Sequence, residues 1–291
     1  MSTEKVEIGV IGGTGLYDMP EITDITTVDI DTPFGKPSSS IRIGTLRGKR
    51  VAFLARHGVG HVYSPSTVPY RANIYALKQL GVRFIISVNA AGSLREDYAP
   101  GHIVVPDQLL DYTTHRARSF FETGLVAHLS VAEPFSPEMR QLLIEAVKEA
   151  GGTVHEKGTF LVEEGPRFAT KAESRLFRSW GCDLIGMTSC PETFLALEAE
   201  IAYATMAHIT DYDVWHETEE PVTVEMVIKT MKRNLDVAQK AIALAVEKLD
   251  TQATYPCHTI LDQAIQTSRD KISPEMTEKL RAIVGRALGL D

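Results

Sequence analysis

The sequence predicts an α/β chain of layered strands and helices, and three observations carry that prediction. Apolar runs of strand length recur along the chain, several with almost no polar alternation, as strands covered on both faces do. Amphipathic stretches with helix-capping residues fall between them. Nothing with the composition of a linker interrupts the first 250 residues.

The strand-like runs are 6–12 (VEIGVIG), 50–55, 83–90 (RFIISVNA), 102–110 (HIVVPDQLL), 159–165, 183–187 and 201–210 (IAYATMAHIT). Helices are expected over 69–81, ending at a glycine; over 136–152, with a serine cap and a first-turn proline; and over 170–181, 190–201 and 223–249. Residues 1–250 therefore read as one domain. Residues 251–291 are too few to fold alone and read as a helical appendage docked on it.

The 291 residues are 44% hydrophobic and 23% charged, the composition of a globular protein with a large core. A net charge of −8 disfavours broad binding to nucleic-acid backbones. No apolar stretch is long enough to span a membrane. The start of the chain shows no leader pattern, and Cys182, Cys190 and Cys257 are too scattered for a disulfide framework. The expectation is a cytoplasmic protein.

Three strand ends offer places to hold an anion. Residues 8–18 (IGVIGGTGLYD) join a strand to a glycine turn, but the dinucleotide fingerprint fails at Asp18, no helix pattern follows, and there is no P-loop lysine. Gly12, Gly13, Gly15 and Thr14 remain as a small nest of donors. Residues 54–73 bring Arg56, His57, His61 and Arg71 to a second strand end. The histidine pair lacks the helix, carboxylate and cysteine of a metal site, whereas an arginine suits phosphate. Residues 87–97 (SVNAAGSLRED) make the third. These stretches carry donors and no counter-anion, so one phosphate-sized ligand at the carboxyl edge of the sheet accounts for all three.

Together "GVIGGTGLYD", "RHGVGH", "VPYRAN", "NAAGSL", "EGPRFATKAE", "GMTSCPE" and "TDYDVWHE" resemble the S-methyl-5'-thioadenosine phosphorylases, within the trimeric purine nucleoside phosphorylase superfamily. The resemblance implies a single α/β domain around a mixed, partly barrel-like sheet, assembled as a trimer or hexamer. It implies attack of inorganic phosphate on 5'-methylthioadenosine, with phosphate as co-substrate and no cofactor or metal. By the same resemblance Gly12, Thr14, Arg56, His57, Asn89, Ala90 and Thr188 would hold phosphate, Asn89 standing where other members carry threonine or serine. Met187 would underlie the ribose, and Phe168 and Ile185 would line the base pocket. Val224, Val227 and Ile228 would wall the methylthio group, with His128 reaching over from a neighbouring subunit.

Asp211 and Asp213 close the argument. Two residues apart on an extended segment, they would face one ligand edge together. Two carboxylates that close resist joint ionisation, so one keeps a proton. A departing purine needs that proton at N7, and its 6-amino group needs an acceptor, which favours adenine over 6-oxo purines. Asp211 is expected to be the acid and Asp213 its partner at the amino edge. Another purine nucleoside phosphorylase, acting on adenosine, methylthioinosine or guanosine, and a hydrolytic nucleosidase remain as alternatives.

Overall fold

The computed structural model describes residues 5–13, 16, 19–216 and 223–290, without the side chains of Met231 and Arg233. Its centre is a pair of long parallel strands, β5 (Phe84–Ser93) and β11 (Ala202–Asp211), in register from Ala202 opposite Phe84 to Ile209 opposite Ala91, after which a one-residue shift brings Asp211 opposite Gly92. All ten residues of β11 are buried, which explains the unbroken apolar sequence.

Eleven strands form one mixed sheet among the described residues. Outward from β5 on one side lie β1 (Ile8–Gly12), β4 (Lys49–Ala55), β3 (Ile41–Leu46) and β2 (Thr23–Val28); on the other lie β10 (Leu184–Gly186), β9 (Thr159–Glu163) and β7 (Gln108–Tyr112). β11 branches from β5 and carries β6 (Ile103–Val104) and β8 (Val154–His155). The sheet splays at this branch and does not close into a barrel.

The expected strand over 102–110 is two strands. Pro106 has no N–H for a ladder and divides β6 from β7. β2 and β3 were not anticipated: β2 is an edge strand with almost every residue exposed, so it lacks an apolar signature.

Helices cover both faces. Helix α2 (Pro137–Glu149) and the 25-residue α5 (Val224–Lys248) share one core with Ile8, Val10, Phe84, Ile86 and Met206. Ser136 caps α2 by accepting from Met139 N–H, as its sequence foretells. On the opposite face, Ile74 and Leu77 of α1 (Tyr70–Gln79) and Leu195 of α4 (Ser189–Glu198) pack with Ile11, Leu54 and Ile85. Helix α3 (Lys171–Ser179) starts with a Thr170/Glu173 capping box.

Past Leu249 the chain forms a 3-10 turn at Pro256–Asp262, then α6 (Pro274–Lys279) and α7 (Arg281–Leu288). Leu261, Leu280, Ile283 and Val284 enter the same core as α1, and Arg286 bonds the buried Glu200. Among the described residues no helix is long and apolar enough to cross a membrane.

Candidate active site

The site begins with a gap beside β5. β11 occupies one edge of β5 throughout, whereas on the other edge β1 pairs with Phe84–Ser87 and β10 only with Gly92 and Ser93. Residues 88–91 therefore have no strand neighbour there, and Ala90 is exposed within an otherwise buried strand. Arg56 follows the end of β4 and enters this gap. Its backbone N–H donates to Gly12 O (3.0 Å), and its Nη1 donates to Val88 O (2.9 Å), the first carbonyl that β1 leaves open. A side chain at Gly12 would sit 2.2 Å from Leu16 Cδ1, so glycine permits the close packing.

The sequence expectation that this region holds no counter-anion is corrected by Glu192, on α4. Its carboxylate takes Arg56 Nε and Nη2 in a two-pronged pair, both at 2.7 Å, and also accepts from Tyr203 OH (2.8 Å) and Ser87 Oγ (3.2 Å). Arg56 Nη2 also donates to Ser87 Oγ (2.7 Å). Burial would favour a neutral guanidinium, but Glu192 outweighs it and holds the charge on Arg56. Four of the five guanidinium hydrogens are engaged, leaving one on Nη1 for a ligand.

Asn89 and Thr188 are likewise turned inward. Asn89 Nδ2 bonds the hydroxyls of Thr205 (2.6 Å), Ser189 (3.2 Å) and Ser87 (3.3 Å), while Thr188 Oγ1 donates to Asn89 Oδ1 (2.7 Å). His57 donates from Nδ1 to Tyr63 O (2.9 Å). Desolvation, then the Arg56 charge, lowers its pKa to about 4, so at neutral pH its Nε2 is an acceptor. The rings of His57 and His61 stack at 4.2 Å and 11°. Among the described residues no three metal-ligating side chains converge. Thr14 lies outside the described residues.

At the other end of the gap stand the two aspartates. β11 ends at Asp211, and Asp213 is in the left-handed region (φ 51°) that aspartate tolerates. The expected strand alternation is therefore not what pairs them. Asp213 N–H donates to Asp211 Oδ1 (2.8 Å), a side-chain turn that folds one carboxyl back beside the other. Gly92 makes room: a side chain there would meet Asp211 Oδ1 at 3.0 Å, Ile185 at 3.1 Å and Asp213 Cβ at 3.3 Å.

Both aspartates are 6% exposed. Desolvation raises the pKa of Asp211, against the hydrogen bond from Thr210 Oγ1 (2.6 Å). It raises Asp213 to about 6, helped by the negative charges of Asp211 and Glu173, and Asp213 Oδ2 has no hydrogen-bond partner. Glu163 ends β9 nearby; burial first, then Asp213, pushes its pKa up to about 8. The neighbouring Glu164 behaves oppositely. Despite burial, hydrogen bonds from Thr114 N–H, His115 N–H and Arg116 Nε hold it at about 2.

The remaining predicted residues divide. Ile185 meets the space beside Gly92, and the Met187 sulfur abuts Gly165, where a Cβ would lie 2.7 Å away. Met187 is anchored by Arg116, which donates to its carbonyl (2.7 Å) and to that of Cys190 (2.5 Å). Phe168 is 38% exposed, and Val224 and Ile228 are exposed on the first turns of α5, with Val227 half-buried. His128 is exposed and tied through its backbone to Ala264.

Sequence reasoning missed Glu192, Arg116 and Glu163. A signal for the first was present. Ser87 and Asn89, and Tyr203 and Thr205, alternate at a spacing of two inside the most apolar runs, marking a polar stripe on buried strands that needs a charged centre.

Comparison with known proteins places the chain in a family. The family model described as the phosphorylase superfamily matches residues 7–247. The S-methyl-5'-thioadenosine phosphorylase of Chloroflexus aurantiacus is 53% identical, covering 96% of this chain and 97% of that protein. That of Geobacter sulfurreducens is 48% identical, at 96% and 98%. A methylthioadenosine phosphorylase crystal structure from an Antarctic soil metagenomic library superposes with a TM-score of 0.92, at 47% identity and 96% and 99% coverage. The Schistosoma mansoni methylthioadenosine phosphorylase in complex with adenine gives 0.80, at 37% identity and 83% and 91% coverage. This chain belongs to the S-methyl-5'-thioadenosine phosphorylase family of the phosphorylase superfamily.

Proposed function

We infer that the protein cleaves 5'-methylthioadenosine with inorganic phosphate, giving adenine and 5-methylthioribose 1-phosphate. The carrying observation is that one strand, β5, presents the arginine-centred donor group at Val88–Asn89 and the aspartate pair at Gly92. Three residues of strand span ~10 Å, the length of a nucleoside standing on a phosphate.

Phosphate lies in the gap, taking the free Arg56 Nη1–H, the Gly12 and Ala90 backbone region and the Thr14 hydroxyl, with Asn89 and Thr188, whose hydrogens are engaged within the network, lining the cradle. Neutral His57 offers Nε2 as acceptor to the phosphate hydroxyl and so orients the dianion. Bond breaking at C1' builds positive charge on the ribose, which the bound phosphate both balances and attacks. Met187 floors the ribose, and Phe168 and Ile185 flank the base.

The aspartates supply the leaving-group proton as a coupled pair. Hydrogen bonds to both Asp211 oxygens favour its charged form, so the shared proton rests on Asp213 in the empty site. When the 6-amino group of adenine donates to Asp213, that carboxyl favours its anion and the proton moves to Asp211, facing N7. A 6-oxo purine would leave the proton on Asp213, which is the basis for adenine selectivity.

Val224, Val227 and Ile228 become the methylthio wall when a neighbouring subunit brings His128 over them, which makes the working form a homotrimer or a pair of trimers. The reaction uses phosphate as co-substrate and no cofactor. Residues 1–250 form the catalytic domain and 251–291 its docked appendage, and the protein works in the cytoplasm. Incubation with methylthioadenosine tests the reading: adenine must appear only when phosphate is added. Release without phosphate would make the enzyme a hydrolase.

A further inference from the structure

The turn that carries Asp213 needs a fastening. Asp213 sits at φ 51°, and its N–H folds it back on the strand end by donating to Asp211 Oδ1. A left-handed conformation in a residue other than glycine persists only where its surroundings over-determine it. Two residues on, the indole Nε1–H of Trp215 donates to Ser93 O at 2.7 Å. Ser93 is the last residue of β5 and directly follows Gly92, whose missing side chain makes room for both aspartates. The turn is therefore tied to the strand against which the two carboxyls lie.

The indole is itself held in place. It packs against the buried cluster of Leu161, Phe177 and Ile185, and Ile185 borders the same space beside Gly92. The guanidinium carbon of Arg178 lies 3.3 Å from the centroid of the Trp215 ring. Arg178 Nη1 is buried with no hydrogen-bond partner among the described residues, so the π-face of the indole meets its charge. Tyr212 and His216 add two further ties, from Tyr212 OH to Glu96 O (3.2 Å) and from His216 Nε2 to the Glu96 carboxylate (3.2 Å). Both of those are exposed, so water competes for them, whereas the bond to Ser93 O is partly buried. Trp215 is the stronger anchor.

We propose that Trp215 is a positioning residue: by binding Ser93 O it holds Asp213 where that carboxyl meets the 6-amino group of the purine, and so sets the preference for adenine over 6-oxo purines. The indole acts through Asp213 and not on the substrate. This inference rests on the reading of Asp213 as the partner of the amino group, and adds what fixes it there.

The test is Trp215→Phe, which keeps an aromatic face for Arg178 and removes the donor. Trp180→Phe serves as the control, since the chain has two tryptophans and Trp180 is 48% exposed. In Trp215→Phe, kcat/KM for methylthioadenosine should fall about tenfold and that for methylthioinosine much less, so that the selectivity ratio narrows. The KM for phosphate should not change, and Trp180→Phe should keep the wild-type ratio. A merely structural role would lower Tm and reduce both substrates alike; an unchanged ratio overturns the proposal. A second readout needs neither turnover nor a folded Trp215 variant. In Trp180→Phe the sole tryptophan is Trp215, whose fluorescence should change when adenine binds and not when phosphate alone is added. Emission that ignores bound adenine would overturn the proposal. Failure of the wild type to release adenine from methylthioadenosine and phosphate would defeat the phosphorolysis reading instead, and the fluorescence titration would still decide this one.

Discussion

The two ends of the gap beside β5 are built on opposite terms. At the phosphate end, Arg56, Glu192, Ser87, Asn89, Thr188 and Tyr203 satisfy one another in a closed network of hydrogen bonds. At the purine end, Asp213 Oδ2 lacks a partner and Glu163 has no ion pair; between the two ends, opposite Ala90, the ring of His208 is fully buried with neither nitrogen bonded. The difference matches the chemistry each end is proposed to do. An anion is bound by fixed charge that need not move, which a saturated network supplies. A proton is delivered by a group that holds it poorly enough to give it up, which requires burial with too few partners.

The comparison breaks most sharply at the acid. Asp211→Asn cannot pass a proton to N7, and kcat should fall ~10²- to 10⁴-fold while phosphate binding persists, as measured by steady-state kinetics and calorimetry. Normal turnover in that variant would remove Asp211 from the role.

Breaking the other end should look different. Arg56→Ala should raise the phosphate KM strongly. It should also destabilise the fold by ~3–5 kcal/mol, because Glu192 is left as a buried charge without its partner. Denaturant melts report the stability loss, and an unaltered phosphate KM would exclude Arg56 from the site.

His208 sharpens the contrast without touching the reaction. Desolvation lowers its pKa to about 4, so it is neutral in the folded protein at pH values where the unfolded chain, titrating near 6.5, has taken up a proton. Acid between those values therefore favours unfolding, and Tm should fall as pH drops from about 6.5 to about 4. His57, lowered to about 4 as well, adds to the same window. In His208→Met the acid-side slope of Tm should be shallower; an identical slope would show that the imidazole is not held neutral.

The smallest effect belongs to the apolar wall. Val224→Ser should narrow the preference for a methylthio over a hydroxyl substituent by ~1–3 kcal/mol in kcat/KM, measured with methylthioadenosine against adenosine. No change would place the 5' group elsewhere.

Much of this was legible in the residues. Alternating apolar runs and caps announced β1, β4, β5, β9, β11 and α1 to α5, because burial on both faces and helix ends leave local marks. The short β8 and the exposed β2 left none, since a strand held by one neighbour and not buried on its faces needs no apolar pattern. The aspartate pair was visible as a spacing, but the left-handed turn at Asp213 that brings the carboxyls together was not.

By itself, the sequence determined which residues could hold an anion, which could carry a proton, and that they sit at strand ends, because residue chemistry and periodicity are local properties. Only the tertiary structure decided that Glu192 neutralises Arg56, that Glu163 stands beside Asp213, and that β1 and β10 leave a gap along β5 between them. Those facts join residues far apart in the chain, and electrostatics and burial act through space rather than along it.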